Sequence, residues 1–217
     1  MSAARLPIVV LISGRGSNMM AIVEAARVGL PVDIRAVISN RPDAAGLGFA
    51  AAAGVPTEVV DHTAFPSREG FEHALRQAID RYAPGLVVLA GFMRVLGADF
   101  VRRYRGRLVN IHPALLPAFP GLDTHRRALE SSVREHGASV HFVTEEVDAG
   151  PVIVQARIPV FPEETAQTLA ARVLEQEHRI YPQAIRWFAE GRLRLEGNQA
   201  LLDDRPVASS APAGVQP

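Results

Sequence analysis

The chain contains no cysteine and no lysine, and its formal net charge is zero. Without cysteine there are no disulfides, thiol nucleophiles or thiolate metal sites. Without lysine there is no Schiff-base chemistry and no phosphate-gripping lysine of a P-loop. All 23 basic residues are arginine. Arginine stays charged at any working pH, so base catalysis falls to His, Asp or Glu. A balanced charge gives no sign of a nucleic-acid partner or an anionic membrane surface. No apolar run approaches the roughly 18 residues of a membrane span. The start, Met1-Ser2-Ala3-Ala4-Arg5, lacks a signal-peptide profile. A cytoplasmic protein with neither nucleic acid nor membrane as partner is expected. The seven histidines show no His-x-x-x-His or equivalent spacing, so no metal is expected.

What is present describes an ordinary globular chain: 217 residues, 48% hydrophobic and 21% charged. Pro7–Ser13, Asp33–Asn40, Thr57–Val60 and Leu86–Ala90 read as strands. Asn18–Val28, Ala44–Ala53 and Ser67–Tyr82 read as helices between them, with Ser67 as an N-cap. Continuous rather than alternating apolar strands mean that both faces are covered, as in a parallel sheet between helix layers. After Gly106 the rhythm becomes strand 107–112, a Pro-rich loop, a short helix, strands 138–144 and 151–160, and a long helix 165–190. The short connection between the last two strands predicts an antiparallel pair. The expected fold is α/β: a Rossmann-like open twisted sheet, mostly parallel with an antiparallel C-terminal strand, and helices on both faces. A single domain over 1–204 is expected, with an N-terminal half of about 7–105 and a C-terminal half of about 106–204. Residues 205–217, rich in Ala, Pro and Ser with little to bury, read as a disordered tail.

Three stretches carry chemistry. Asn110 and His112 alternate onto one face of strand 107–112, at the carboxyl end where open α/β sheets bind ligands. Pro113 ends the ladder there. A lone strand histidine is more often a satisfied core residue, but the amide two residues before it and the strand-end position favour a catalyst. His141 lies mid-strand, which gives it a structural reading, and Asp148 by itself is a turn aspartate. Ser13-Gly14-Arg15-Gly16-Ser17-Asn18 joins the first strand to the first helix. It reads either as a phosphate cradle at a helix N-terminus or as a tight turn with Ser17 or Asn18 as N-cap. It is not a dinucleotide fingerprint, because Met19 replaces the third glycine and Asn40 stands where an acid is needed. Leu89–Leu96 ends the fourth strand. It reads as a buried strand leading into packing, or as an apolar slot where a planar heterocycle meets strand-end backbone groups.

Gly14–Asn18, Leu89–Arg94, Asn110–Pro117, Ser139–Val143 and Asp148–Gln155 together resemble the folate-dependent formyltransferase family, in its branch that formylates glycinamide ribonucleotide. The resemblance covers roughly residues 7–204, including Gln176–Pro182. It implies glycinamide ribonucleotide and 10-formyltetrahydrofolate as small-molecule substrates, no metal, and a monomer or homodimer. It puts Asn110, His112 and Asp148 at the catalytic positions, and Gly16, Ser17, Asn18 and Glu177 at ribonucleotide-binding ones. Arg68, Met93, Arg94, Val95, Leu96, Asn110, Thr144, Glu145, Glu146, Val147 and Asp148 fall on folate-binding positions. Two departures stand out: Leu174, where relatives are often polar, and Asp123, where they often carry a basic residue or histidine.

The mechanism that follows is direct attack of the glycine amine on the formyl carbon. Asn110 and a protonated His112 stabilise the oxyanion. Asp148 is expected to raise the His112 pKa toward working pH and to help move the proton from amine to departing folate nitrogen. A formyltetrahydrofolate hydrolase, a transfer-RNA formyltransferase and a non-catalytic nucleotide-binding module are the alternatives.

Overall fold

Apolar residues in unbroken runs dictate the centre of the molecule. In the computed structural model, which describes residues 5–207, they form a seven-stranded sheet. Its strands are β1 (Leu6–Ile12), β2 (Val32–Ser39), β3 (Thr57–Val59), β4 (Leu86–Leu89), β5 (Leu108–His112), β6 (Glu135–Phe142) and β7 (Val152–Pro159). Their spatial order is β3-β2-β1-β4-β5-β6-β7. β1 to β5 pair parallel, whereas β6 runs antiparallel to both β5 and β7. The strand that runs against the rest is therefore the sixth, lying inside the sheet.

Helices α1 (Ser17–Arg27), α2 (Ala45–Ala52), α3 (Arg68–Asp80), α4 (Ala98–Arg103), α5 (Thr124–Glu130) and α6 (Ala166–Ala189) cover the two faces. The period of two sorts the core. Ile8, Val10 and Ile12 pack with Met19 and Ile22 of α1 and Val173 and Tyr181 of α6. Val9 and Leu11 turn to the other face, against Phe71, Leu75 and Ile79 of α3 and Phe100 of α4. Ser67 caps α3 as its sequence predicts, its Oγ accepting from the Gly70 N–H at 3.1 Å. Thr165 and Thr168 form a reciprocal capping box at the start of α6. Deep in that helix, the Tyr181 hydroxyl donates to the carbonyls of Leu89 (2.8 Å) and Val109 (3.1 Å), tying α6 to β4 and β5.

Beyond α6 the chain forms a small antiparallel meander, β8 (Leu193–Glu196), β9 (Gln199–Leu202) and β10 (Arg205–Pro206). Ordered pairing thus runs past residue 204: the Val207 N–H donates to Ala200 O at 2.9 Å. The rest of the expected tail, 208–217, lies outside the described residues. No described helix is long and apolar enough to cross a membrane. β1 sits beside β4; the chain leaves β1 toward β2 but leaves β4 toward β5, so these two connections diverge at the carboxyl ends of the strands and open a crevice.

Candidate active site

β5 delivers Asn110 and His112 to that end of the sheet, and its pairing with β6 sets His141 directly opposite Asn110. The chain leaving β6 turns back through Asp148, which adopts a left-handed φ of 54°. Four side chains converge as a result. His112 Nδ1 lies 3.3 Å from Asp148 Oδ2, with the two side chains only 6% and 10% exposed. His141 Nε2 lies 3.6 Å from Asp148 Oδ1 and 3.2 Å from Asn110 Nδ2. His141 Nδ1 faces Phe142 O at 3.0 Å, which assigns Nδ1 as a donor and sets Nε2 between the Asn110 amide and the Asp148 carboxylate. The loop after β5 closes the group from above. Phe119 O lies 2.8 Å from His112 Nε2, and the Gly121 N–H donates to Asp148 Oδ2 at 2.9 Å.

Asn110, His112 and Asp148 are thus brought together. His141, read from the sequence as structural, joins them because cross-strand register is invisible within either strand alone. Burial raises the Asp148 pKa, but hydrogen bonds from His141 and Gly121 and the adjacent imidazoles outweigh it, leaving the carboxyl below its ordinary value. For His112 the balance goes the other way. Burial lowers its pKa, the Phe119 carbonyl and Asp148 raise it, and burial wins. This corrects the expectation of a net rise: the site is too dry for a single carboxylate to prevail. Both ring nitrogens nonetheless face acceptor oxygens, so negative charge developing beside the ring is all the imidazolium lacks.

The loop over His112 rests on a second imidazole pair. His136 lies in β6 and not before it, and its Nε2 sits 3.2 Å from His125 Nδ1 on α5. The His136 ring also meets Phe119 edge-on, 6.0 Å between centroids. Burial, then the neighbouring His125, depress the His136 pKa to about 4. A folded value below the unfolded one of about 6.5 means stability that is complete above pH 6.5 and drains as pH falls toward 4. That displacement is worth roughly 3 kcal/mol. Urea midpoints are therefore expected to fall between pH 6.5 and 4, and His136→Phe is expected to flatten the fall. An unchanged slope in that variant would assign the acid sensitivity to other groups.

The phosphate-cradle stretch forms the start of α1. Gly16, at φ 72°, is its N-cap and no side chain caps it, so neither Ser17 nor Asn18 takes that role. The first-turn amides have no intrahelical acceptor. They open on a cavity of about 370 Å³ in the crevice, lined by Ser13 to Asn18, Asn40, Arg41, His62, Gly91, Met93 and Arg94. Glu177 lies beneath this wall, where its Oε2 accepts from Asn18 Nδ2 at 2.6 Å. Burial raises its pKa against that hydrogen bond.

The folate positions outside the quartet lie on α3 and in the chain that follows β4 and β6. Met93 and Val95 are exposed at 68% and 59%, and Leu96 is buried. The Met93 N–H donates to Ser13 Oγ at 2.7 Å, so this strand-end donor is already committed. Arg94 lines the cavity, and Arg68 pairs with Glu72. Thr144 Oγ1 donates to Glu146 O, Glu145 pairs with Arg102, and Val147 is half exposed beside Asp148. Leu174 lies on α6, and Asp123, at φ 57°, is the N-cap of α5. Among the described residues, no cluster of three or more His, Asp or Glu side chains is placed to hold a metal ion.

The family profile described as formyl transferase matches residues 6–185. Phosphoribosylglycinamide formyltransferase of Escherichia coli (strain K12) is 55% identical over 197 residues, 90% of this chain and 93% of that protein. The solved phosphoribosylglycinamide formyltransferase of Coxiella burnetii superposes with a TM-score of 0.92 at 55% identity, covering 95% of this chain and 97% of that one. A formyltetrahydrofolate deformylase from Burkholderia mallei shares the fold at 28% identity and a TM-score of 0.84, covering 92% of this chain and 70% of that one. The profile runs from β1 into α6 and so takes in the crevice and the quartet alike; the chain belongs to the formyl transferase family.

Proposed function

We propose that this protein transfers the formyl group of 10-formyltetrahydrofolate to the glycine amine of glycinamide ribonucleotide, a step of purine biosynthesis, in the cytoplasm. The observation that carries the reading is the Asn110, His112 and Asp148 cluster at the end of β5, at the same carboxyl end of the sheet as the cavity at the start of α1. The Gly16-Ser17-Asn18 amides anchor the ribonucleotide phosphate, aided by the positive end of α1. That remote anchor holds the amine against the formyl carbon.

As the amine adds, charge gathers on the formyl oxygen. The Asn110 amide is one donor to it, the His112 ring becomes the other once the formyl oxygen takes the place of the Phe119 carbonyl at Nε2, and a proton shared with His112 becomes favourable only as that charge forms. Asp148 stabilises the resulting imidazolium and carries the amine proton toward the folate nitrogen as its bond to the formyl carbon breaks. His141 fixes both partners by touching Asn110 and Asp148 at once. The folate lies along Met93 to Leu96 and Thr144 to Asp148, with Arg68 and Arg94 at the mouth. The catalytic unit is a single domain that runs from β1 into the meander after α6.

The deformylase relative makes water the competing acceptor, since the quartet alone serves either. Purified protein is expected to consume 10-formyltetrahydrofolate slowly alone and rapidly once glycinamide ribonucleotide is added, with one formylated product per folate consumed. Rapid formate release that ignores the ribonucleotide would overturn this and establish a hydrolase.

A further inference from the structure

The loop from Met93 to Leu96 is fastened at both ends by side chains that the proposed chemistry leaves idle. At its start, Ser13 Oγ accepts from the Met93 N–H at 2.7 Å, and the Ser13 N–H donates to Gly91 O at 3.1 Å. At its end, the carboxylate of Glu72 takes the Gly97 N–H at 2.7 Å. The same oxygen, Oε1, accepts from Arg68 Nε at 2.9 Å, one turn earlier on α3. Glu72 is 8% exposed. Among the described residues the Nη groups of Arg68 have no hydrogen-bond acceptor, and its side chain stays 48% exposed. Gly97 is what allows the close fit, because a Cβ there would meet Arg68 Nη2 at 2.7 Å and Glu72 Oε2 at 2.9 Å.

Stability alone does not account for this arrangement. An i,i+4 ion pair on a helix is worth only about 0.3–0.5 kcal/mol, whereas burying a carboxylate costs desolvation. What the contact does supply is direction. With Nε committed and the carboxylate anchored by a backbone amide, the guanidinium has one orientation, and its Nη edge is left free. A planar guanidinium edge matches a carboxylate, and the carboxylates of a folate are on its glutamate end.

We propose that Glu72 is a positioning residue for the folate substrate: anchored by the Gly97 amide, it holds Arg68 so that the free guanidinium edge receives a carboxylate of the folate tail. The inference rests on the folate reading of Arg68. It is tested by steady-state kinetics of Glu72→Ala, Glu72→Gln and Arg68→Ala, with 10-formyltetrahydrofolate and with the corresponding pteroate lacking glutamate. Glu72→Ala is expected to raise KM for the folate about tenfold, the scale of a lost charge-assisted hydrogen bond. KM for the ribonucleotide and kcat should stay within about twofold, since neither depends on a tail contact. Glu72→Gln keeps an acceptor for Gly97 and should give a smaller rise in the same KM; it serves alone if the alanine variant does not fold. With the pteroate the effect of either variant should vanish.

An unchanged folate KM in the Glu72 variants alongside a raised one in Arg68→Ala would overturn the proposal and keep Arg68 as a folate contact. An unchanged KM in Arg68→Ala would instead remove the folate reading of Arg68, and the proposal with it. Equal rises for both substrates, or a rise that persists with the pteroate, would reduce Glu72 to a structural prop.

Discussion

Replacing His112 with alanine is expected to lower kcat by about a hundredfold to a thousandfold, the usual cost of a lost oxyanion donor, in a protein that still folds. Asn110→Ala should follow in the same range. The fold is expected to survive because the truncated atoms do not carry the framework. Asp148 keeps the Gly121 N–H and the approach of His141, while Ile111 and Val109 still anchor β5 in the core. His112→Ala leaves the carbonyl of Phe119 without its partner, and Asn110→Ala takes the amide from His141 Nε2. Asp148→Asn tests the electrostatic half of the argument. Asp148 is one of the influences that raise the His112 pKa against burial, so its neutral isostere should send that pKa lower still. An NMR titration of the His112 ring reads this directly. Near-normal turnover in folded His112→Ala would remove the ring from the mechanism. An unmoved titration in Asp148→Asn would mean that the carboxylate is not its electrostatic partner.

The elements themselves were largely legible, because the unbroken apolar strands and the Ser67 cap obey local rules. The direction of β6 was not. A connection of that length containing a helix fits a parallel crossover as well as the observed antiparallel return, and only the short β6–β7 link carries a sign. The role of His141 was hidden for the same reason, since its neighbours Asn110 and Asp148 come from across a strand pair and around a turn. The His112 pKa departs from expectation because sequence reveals the charged partner but not the depth of burial. The meander after α6 carries local signals of its own. Leu193 and Leu195 alternate with Arg194 and Glu196, and the Gly197-Asn198 and Asp203-Asp204 pairs mark two-residue turns, the latter with φ of 51° and 62°.

Gly150→Ala is expected to be among the most damaging small substitutions in the fold. A Cβ at Gly150 would sit 1.7 Å from Phe142 O and 3.3 Å from Thr144 Cγ2, with a backbone carbonyl as the first obstacle. That carbonyl cannot rotate aside. It accepts from His141 Nδ1, and the Phe142 N–H is itself paired with Pro151 O at 3.0 Å. Accommodating one methyl group therefore means prising the end of β6 from the start of β7. Overpacking of this kind costs about 3 kcal/mol, and the melting temperature should fall by about 6–12 °C for a chain of this length. The displacement also lands on the site, because Asp148 lies two residues before Gly150 and His141 one before Phe142; kcat should drop together with Tm. Gly48→Ala is the control. It lies inside α2 with nothing within 4 Å of its Cβ position and no left-handed φ, so alanine there should hold or raise Tm. If Gly150→Ala melts and turns over like Gly48→Ala, the close approach of the two strands at the mouth of the site is not a feature of the folded protein.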